Sequence, residues 1–331
     1  MQTLILYTGG TIGMHASAAG LVPASGFEAR LRAEAAQRPA ASSLEWRFHE
    51  IAPPIDSANM SQAHWLAMRD LIVEATEAGV CNGVLILHGT DTLAYSAAAL
   101  SFLLLGLPVP IVLTGSMLPA GAPHSDAWDN LFGALLHLTQ GTAPGVHLFF
   151  HGHLLQGTRV TKRSSEQFDA FAEALRPVAH PEPRLNLPTL DFRVRRREVN
   201  LACLPLYPGL RAEHVQALID SGLQALLLEC YGSGTGPTDN AALMSVLSQA
   251  HARGVVLAAI SQCPEGQVHF GTYAAGSRLA ECGVISGGGM TREAALAKLF
   301  ALLGAGLEPL VVETLFQHDL CGELTGAGTG H

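Results

Sequence analysis

Short runs that are apolar at almost every position constrain the fold of this chain more than any other feature. In the first half they cover residues 4–7, 83–87, 109–113 and 146–150, and helical patterns separate them. A strand that is apolar throughout must be covered on both faces, as in a parallel sheet with helices on either side. The pattern therefore predicts an open α/β sheet.

A stretch rich in proline and arginine, residues 177–200, interrupts this pattern. Beyond it, strand candidates return at residues 225–228 and 255–260, and helices are expected after Asp239 and Thr291. Thr291 is predicted to cap its helix, because a threonine hydroxyl can accept a hydrogen bond from a free N–H of the first turn.

We therefore predict an α/β protein of two domains. The larger, at residues 1–185, holds an open, mostly parallel sheet. A linker follows at 186–205, and a smaller parallel-sheet domain occupies 206–331.

Composition excludes several classes of function. The 331 residues carry a net charge of -9, whereas a nucleic-acid-binding surface would be basic. The most membrane-like stretch, residues 97–113, contains two prolines and fits a helix, a turn and a strand better than a membrane span. No basic region precedes the first apolar run, so no secretory signal is predicted. Six cysteines without paired spacing indicate free thiols in the cytoplasm.

The turn after the first apolar run, residues 7–13, contains Thr8 and Thr11 among three glycines. Glycine lets a backbone approach a ligand closely, and exposed N–H groups in such a turn can hold a carboxylate or an oxyanion. The glycine spacings of dinucleotide-binding and Walker motifs are not met. The turn therefore predicts an anion site rather than a nucleotide site.

The turn after the second run, residues 88–95, places Thr90 beside Asp91. A threonine hydroxyl is a poor nucleophile unless a base removes its proton. Lys162, one of only two lysines in the chain, could complete a relay with both residues, although most lysines are solvated surface groups. In open α/β sheets, ligands bind beyond the carboxyl ends of the strands, where these turns are expected.

Residues 8–13 and 88–95 resemble the two signature segments of the bacterial L-asparaginase family, and the chain is most similar to its cytoplasmic type. The similarity continues in order along nearly the whole chain. Its further segments are Thr114-Gly115-Ser116, Ser125-Asp126 with Asn130, Lys162, residues 168–171, Tyr207-Pro208-Gly209 and Gly322-Glu323-Leu324-Thr325.

The resemblance implies a two-step acyl transfer with no metal and no cofactor. Thr11 would attack the side-chain amide of asparagine and release ammonia, after which water would release aspartate. Thr90, Asp91 and Lys162 match the second catalytic set, which activates a nucleophile or water. Whether Lys162 is itself the base or acts within a coupled relay stays open.

The resemblance also implies how substrate is held. Asp56, Ser57 and Ala58 match the loop that holds the α-carboxylate, and Asp91 matches the position that meets the α-ammonium. A substrate held at both groups has little residual freedom at its reacting carbonyl. The predicted substrate-binding residues are Gly10, Asp56, Ser57, Ala58, Gly89 and Ser116.

Three positions depart from the family pattern. Leu21 stands where the family places a tyrosine, so Tyr231 or Tyr273 serves instead, or Thr11 is activated otherwise, or activity is low. Ala58 stands where relatives commonly carry a polar side chain. Some relatives have a basic residue of an allosteric asparagine site near the position of Glu229. A carboxylate there would repel the carboxylate of the effector, so allostery is not predicted.

Other functions stay open. A glutaminase or an amidotransferase-related amidohydrolase would differ in substrate by one methylene, which is worth only about 1–3 kcal/mol of discrimination. A catalytically weak asparagine sensor would fit the losses at Leu21 and Ala58. His147, His151 and His153 could share one face of a strand, but no carboxylate is arranged with them and no metal site is predicted. The family further implies a homodimer or a homotetramer.

Overall fold

The computed structural model describes residues 2–17, 20–22, 26–38, 44–174 and 188–324. The chain divides into two compact units, each with a sheet of its own. The first unit comprises Met1–Glu173 with Asp191–Arg193, and the second comprises Ala174–Leu190 with Val194–His331. Both units are α/β, and both larger sheets are mostly or wholly parallel, as predicted.

The first unit is built on a six-stranded sheet. Its strands and those of two small ribbons are β1 (Gln2–Gly9), β2 (His15–Ser17), β3 (Gly20–Val22), β4 (Glu45–Ile55), β5 (Gly83–Leu87), β6 (Pro110–Thr114), β7 (Gly145–Phe150), β8 (His153–Gln156), β9 (Val160–Lys162) and β10 (Phe171–Glu173). The order in the main sheet is β4-β1-β5-β6-β7-β8, and only the β7–β8 pair in it is antiparallel. β2 pairs with β3, and β9 pairs with β10, each antiparallel.

Helices cover both faces of this sheet. They are α1 (Phe27–Ala35), α2 (Gln62–Glu77), α3 (Leu93–Leu103) and α4 (Ala127–Thr139). Alternate side chains of each strand point to opposite faces. Leu6 and Ile86 accordingly lie in the core beneath α2 and α3, whereas Leu85 and Val112 lie in the core beneath α1 and α4. The predicted runs within β1, β5 and β6 are therefore continuously apolar because neither face of the sheet meets water there.

The four apolar runs of the first half are confirmed as strands, but the longest strand, β4, was not among them. β4 has eleven residues and lies at the edge of the sheet, paired only with β1. Its side chains are half-buried or exposed, and it contains Pro53 and Pro54, which an edge strand tolerates. An edge strand of this kind lacks the continuous apolar signal.

The second unit holds a four-stranded parallel sheet. Its strands are β11 (Leu201–Pro205), β12 (Ala225–Cys230), β13 (Val256–Ser261) and β14 (Val284–Ser286), in that order across the sheet. Its helices are α5 (Ala212–Asp220), α6 (Ala241–Ala252), α7 (Ala274–Glu281), α8 (Arg292–Gly304) and α9 (Pro309–Phe316). The predicted cap is confirmed, since Thr291 Oγ1 accepts a hydrogen bond from Ala294 N at 3.1 Å.

The predicted linker at residues 186–205 requires a correction at its end, because Leu201–Pro205 is strand β11 of the second sheet. This short strand lies at the edge of its sheet and follows a run of arginines, which concealed it in the sequence. Residues 186 and 187 of the linker and Thr325 of the family pattern lie outside the described residues. The domain boundaries themselves stay a prediction.

The stretch at residues 97–113 contains the end of α3 and the start of β6. Among the residues that the structure describes, no helix is both long enough and apolar enough to cross a membrane.

Candidate active site

Three turns meet at one edge of the six-stranded sheet, because β1, β5 and β6 are parallel neighbours and their carboxyl ends lie side by side. The first turn carries Thr11, the second carries Thr90 and the third carries Ser116. Thr8 Oγ1 joins the first two strands at this edge by donating to the Leu87 carbonyl at 3.0 Å. The sequence-predicted catalytic hydroxyls thus lie at the same end of one sheet.

Glycines allow these turns to pack backbone against backbone. A Cβ atom at Gly10 would overlap the backbone of Gly89, and one at Gly115 would overlap the carbonyl of His88. A Cβ atom at Gly89 would overlap the Ser57 side chain. Gly10 also has a φ of 85°, which glycine adopts at little cost. The three turns and the Asp56 loop are therefore held at the closest spacing that a polypeptide permits.

Thr11 begins a single turn of 3-10 helix, Thr11–Gly13, and is partly exposed. The buried Ile12 follows it, and the Ile12 carbonyl accepts a hydrogen bond from Ala120 N at 3.1 Å. Tyr7 lies beneath this turn, where a Cβ atom at Gly13 would overlap its hydroxyl. Burial, reinforced by the Glu50 carboxylate, raises the pKa of Tyr7 to about 12, so Tyr7 stays a protonated phenol.

Lys162, at the end of β9, joins Thr90 and Asp91. Its Nζ donates to Thr90 Oγ1 at 3.0 Å and to Asp91 Oδ1 at 2.8 Å. The Lys162 side chain is only 19% exposed and Thr90 is buried, whereas the Asp91 carboxylate is 64% exposed. The alternative of a solvated surface lysine is therefore wrong. A cation, a hydroxyl and a carboxylate lie together at the rim of the site.

The β9–β10 ribbon holds Lys162 in this position. Phe171 of β10 pairs with Lys162 in the antiparallel register, and its ring lies 4.8 Å from that of Phe150 at the end of β7. In the connecting turn, Arg163 N donates to the Ala170 carbonyl at 2.8 Å, and the Arg163 side chain pairs with Asp169. The lysine is thus attached to the main sheet through aromatic packing.

The Asp56 loop lies against the second turn. Asp56 Oδ1 accepts a hydrogen bond from Ala58 N at 3.2 Å and starts the 3-10 helix Ser57–Asn59. Ser57 is buried, and its carbonyl accepts a hydrogen bond from Thr92 Oγ1 at 2.7 Å. Thr92, which sequence reasoning did not single out, therefore ties the predicted carboxylate-binding loop to the turn that carries Thr90 and Asp91.

The third turn is stabilised by two polar residues at the start of α4. The Asp126 carboxylate accepts hydrogen bonds from Met117 N at 2.9 Å and from Leu118 N at 3.1 Å. Buried Asn130 donates to the Gly115 carbonyl at 3.0 Å. Ser116 Oγ donates to the Leu118 carbonyl at 2.6 Å, so its hydroxyl oxygen still has acceptor capacity.

Of the departing positions, Ala58 belongs to the Asp56 loop described above. Leu21 is on the β2–β3 ribbon, where its side chain is 49% exposed. Tyr231 and Tyr273 belong to the second unit. In that unit Glu229 is buried and paired with Arg292.

His147, the first of the three predicted strand histidines, has a ring nitrogen that donates to the Ala143 carbonyl at 3.1 Å. Across the ranges described, no three histidine, cysteine, aspartate or glutamate side chains are grouped so that they could hold a metal ion.

Two family models match the chain. Residues 2–184 match the model described as "Asparaginase, N-terminal", and residues 200–316 match the "Glutaminase/Asparaginase C-terminal domain". The L-asparaginase 1 of Escherichia coli K12 is 36% identical, over 97% of this chain and 97% of that protein.

Two solved structures are also similar. The thermostable L-asparaginase from Thermococcus kodakarensis superposes with a TM-score of 0.85 and is 32% identical in sequence. The match covers 99% of this chain and 100% of the Thermococcus chain. The L-asparaginase I of Vibrio cholerae superposes with a TM-score of 0.83 and is 35% identical in sequence. The match covers 98% of this chain and 99% of the Vibrio chain.

Proposed function

This chain belongs to the asparaginase family, and from that premise we propose that it hydrolyses the side-chain amide of L-asparagine to L-aspartate and ammonia. The observation that carries the proposal is the contact of Lys162 with both Thr90 and Asp91 at the same sheet edge as Thr11. A lysine solvated at the surface would not form a hydrogen bond with a buried hydroxyl.

Thr11 is the proposed nucleophile. Its oxygen forms a bond to the amide carbon, the carbon–nitrogen bond breaks, and ammonia leaves with the hydroxyl proton. Water then attacks the acyl carbon, the bond to Thr11 breaks, and the threonine oxygen recovers a proton. The partial exposure of Thr11 and its place in a glycine-rich turn support this role, because substrate can approach the backbone closely.

Thr90, Asp91 and Lys162 are the proposed proton-transfer set. The Lys162 hydrogen bond to Thr90 Oγ1 leaves the Thr90 hydroxyl hydrogen available to another acceptor. Asp91 holds the lysine from the other side while most of its carboxylate stays in solvent. That exposed carboxylate is available to a substrate ammonium group, as the family resemblance implies.

Substrate is proposed to be held by Gly10, Asp56, Ser57, Ala58, Gly89 and Ser116. The contact between the Asp56 loop and the second turn supports this, since the carboxylate-binding and ammonium-binding groups must be a few ångströms apart for one amino acid. At Ala58 the contact would come from the backbone. The family further leads us to propose a homodimer or a homotetramer, and the six free cysteines favour the cytoplasm.

The test is ammonia release from L-asparagine, with L-glutamine in parallel, for wild type and Thr11→Ala. We expect release from asparagine that is lost in the variant while the melting temperature is kept. Faster ammonia release from glutamine than from asparagine would make glutamine the substrate instead. Asparagine that raises the melting temperature without turnover would identify a sensor, in keeping with Leu21 in the place of a tyrosine.

A further inference from the structure

His88, the first residue of the second turn, is fully buried and makes hydrogen bonds through both ring nitrogens. Its Nδ1 lies 2.7 Å from the Gly89 carbonyl oxygen, and its Nε2 lies 2.8 Å from Ser96 Oγ in α3. The same serine oxygen accepts a hydrogen bond from Trp65 Nε1 of α2 at 2.8 Å. A continuous chain of hydrogen bonds therefore runs from two helices to the turn that carries Thr90.

The chemistry of the end groups, together with the burial of the ring, fixes the positions of the hydrogens in this chain. A carbonyl oxygen only accepts, so Nδ1 of His88 carries the proton that is donated to Gly89. Burial disfavours the charged ring, so Nε2 carries no hydrogen and accepts the one of Ser96, whose oxygen in turn accepts from the indole N–H of Trp65. His88 is thus a neutral imidazole with its hydrogen on Nδ1, and Ser96 and Trp65 specify that tautomer.

The bond to Gly89 controls the orientation of one peptide group. The Gly89 carbonyl belongs to the planar peptide unit that continues into Thr90, so fixing its direction also fixes that of the Thr90 N–H. The Thr90 side chain starts from the next atom of the backbone and ends at the oxygen that Lys162 contacts. A rotation of this peptide would therefore move the Thr90 hydroxyl away from Lys162.

The backbone of His88 is held as firmly as its ring. His88 N donates to the Thr114 carbonyl at 2.9 Å, and the His88 carbonyl is packed against Gly115. On the other side, Gly10 is packed against the backbone of residues 88 and 89. The His88–Gly89 peptide, which directly precedes the one that the imidazole orients, thus lies between the turn of Thr11 and the turn of Ser116.

We propose that His88 is a positioning residue for the hydrolytic reaction: its neutral imidazole, oriented by Ser96 and Trp65, holds the Gly89–Thr90 peptide so that Thr90 and Lys162 stay aligned with Thr11. The proposal rests on the proposed function. It assigns His88 no contact with substrate and no proton transfer.

Two amide substitutions separate the two bonds of the ring. In His88→Asn the amide nitrogen can take the place of Nδ1 and donate to Gly89. In His88→Gln the amide oxygen can take the place of Nε2 and accept from Ser96, but the donor to Gly89 is lost. We expect His88→Gln to lower kcat about tenfold with little change in KM, and His88→Asn to recover most of that loss. Equal losses in the two variants, or a wild-type kcat in both, would overturn the proposal.

A measurement on the unmodified protein guards against variants that fail to fold. With ¹⁵N-labelled histidine, the ring nitrogen shifts of His88 should identify Nδ1 as protonated and Nε2 as an acceptor at neutral pH. The opposite tautomer, or a charged ring, would contradict the proposal. These shifts do not depend on turnover, so an absence of asparagine hydrolysis in wild type would sink the proposed function while the NMR result still stood.

Discussion

The Nζ of Lys162 donates to the hydroxyl oxygen of Thr90 across 3.0 Å, although the two residues are 72 positions apart in the chain. The same nitrogen lies 2.8 Å from Asp91 Oδ1. One cation is thus shared between a buried hydroxyl and an exposed carboxylate, and its replacement separates the effect of charge from that of proton transfer.

We expect Lys162→Met to lower kcat by a factor of about 10² to 10⁴, the range typical of a lost acid–base group. Lys162→Arg keeps the charge but cannot release a proton at neutral pH, so it should be nearly as inactive if Lys162 transfers a proton. Steady-state ammonia release measures both. Arg193→Met, which removes an exposed cation paired with Glu77, is the control and should keep kcat. An arginine variant with near-wild-type kcat would restrict Lys162 to an electrostatic role.

Gly115→Ala should reduce activity without any backbone strain of its own. Its added methyl group would overlap the His88 carbonyl, so the second and third turns would have to separate. We expect kcat to fall on the order of a hundredfold, because displacements of about 1 Å in an active site have that effect. The matched control is Gly121→Ala, where the nearest atom to the new methyl is 3.5 Å away on the flexible Arg30 side chain. Comparable losses in both variants would argue against turn spacing as the cause.

Stability should fall in acid through His88. Burial lowers the pKa of His88 from its usual 6.5 to about 4, so the unfolded chain binds more protons than the folded one between these values. The stabilisation is complete above pH 6.5 and falls by up to about 3 kcal/mol as the pH approaches 4. Urea unfolding at pH 7 and pH 4.5 should show a smaller loss for His88→Asn than for wild type.

Comparing wild type with His88→Asn also cancels an opposite effect of pH on stability, which comes from Asp319 in the second unit. Burial, with the neighbouring Glu323, raises the pKa of Asp319 to about 6, so this carboxyl favours the folded state as the pH falls. Asp319 is present in both proteins and cancels in the difference. Identical pH profiles for wild type and His88→Asn would refute the assignment of the acid loss to His88.

Lys298 and Glu323 form a completely buried ion pair in the second unit, with 2.6 Å between Nζ and Oε1. Lys298→Met should destabilise folding by about 3–5 kcal/mol, because it leaves a buried carboxylate without its partner. Adding Glu323→Gln removes that charge and should recover part of the loss. Leu320 N and Cys321 N donate to different oxygens of the Glu323 carboxylate, so the one oxygen of glutamine keeps only one of these two hydrogen bonds. Urea midpoints of Lys298→Met, of Glu323→Gln and of the double variant measure this coupling. Additive losses would mean that the two charges do not support each other.

The parallel sheets could be predicted from sequence because strands buried on both faces carry runs of consecutive apolar residues. β4 could not, since an edge strand with exposed side chains and two prolines carries no such signal. The reactive hydroxyls stand out in the sequence, whereas the role of His88 depends on Ser96, eight positions away, and on Trp65, which lies 31 positions before that serine. Nothing in the local pattern specifies which helix will supply a hydrogen bond to a buried ring.

The glycines between the three turns also determine where this enzyme can change. At Gly10 and Gly115 any side chain would overlap the main chain of the neighbouring turn, and at Gly89 it would overlap the Ser57 side chain. Substitutions at these glycines would push the turns apart and so widen the site, without adding a reactive group to it. A library designed to admit a longer amide should therefore keep all three glycines constant and vary positions such as Leu21 and Ala58, which have no such limit on their size.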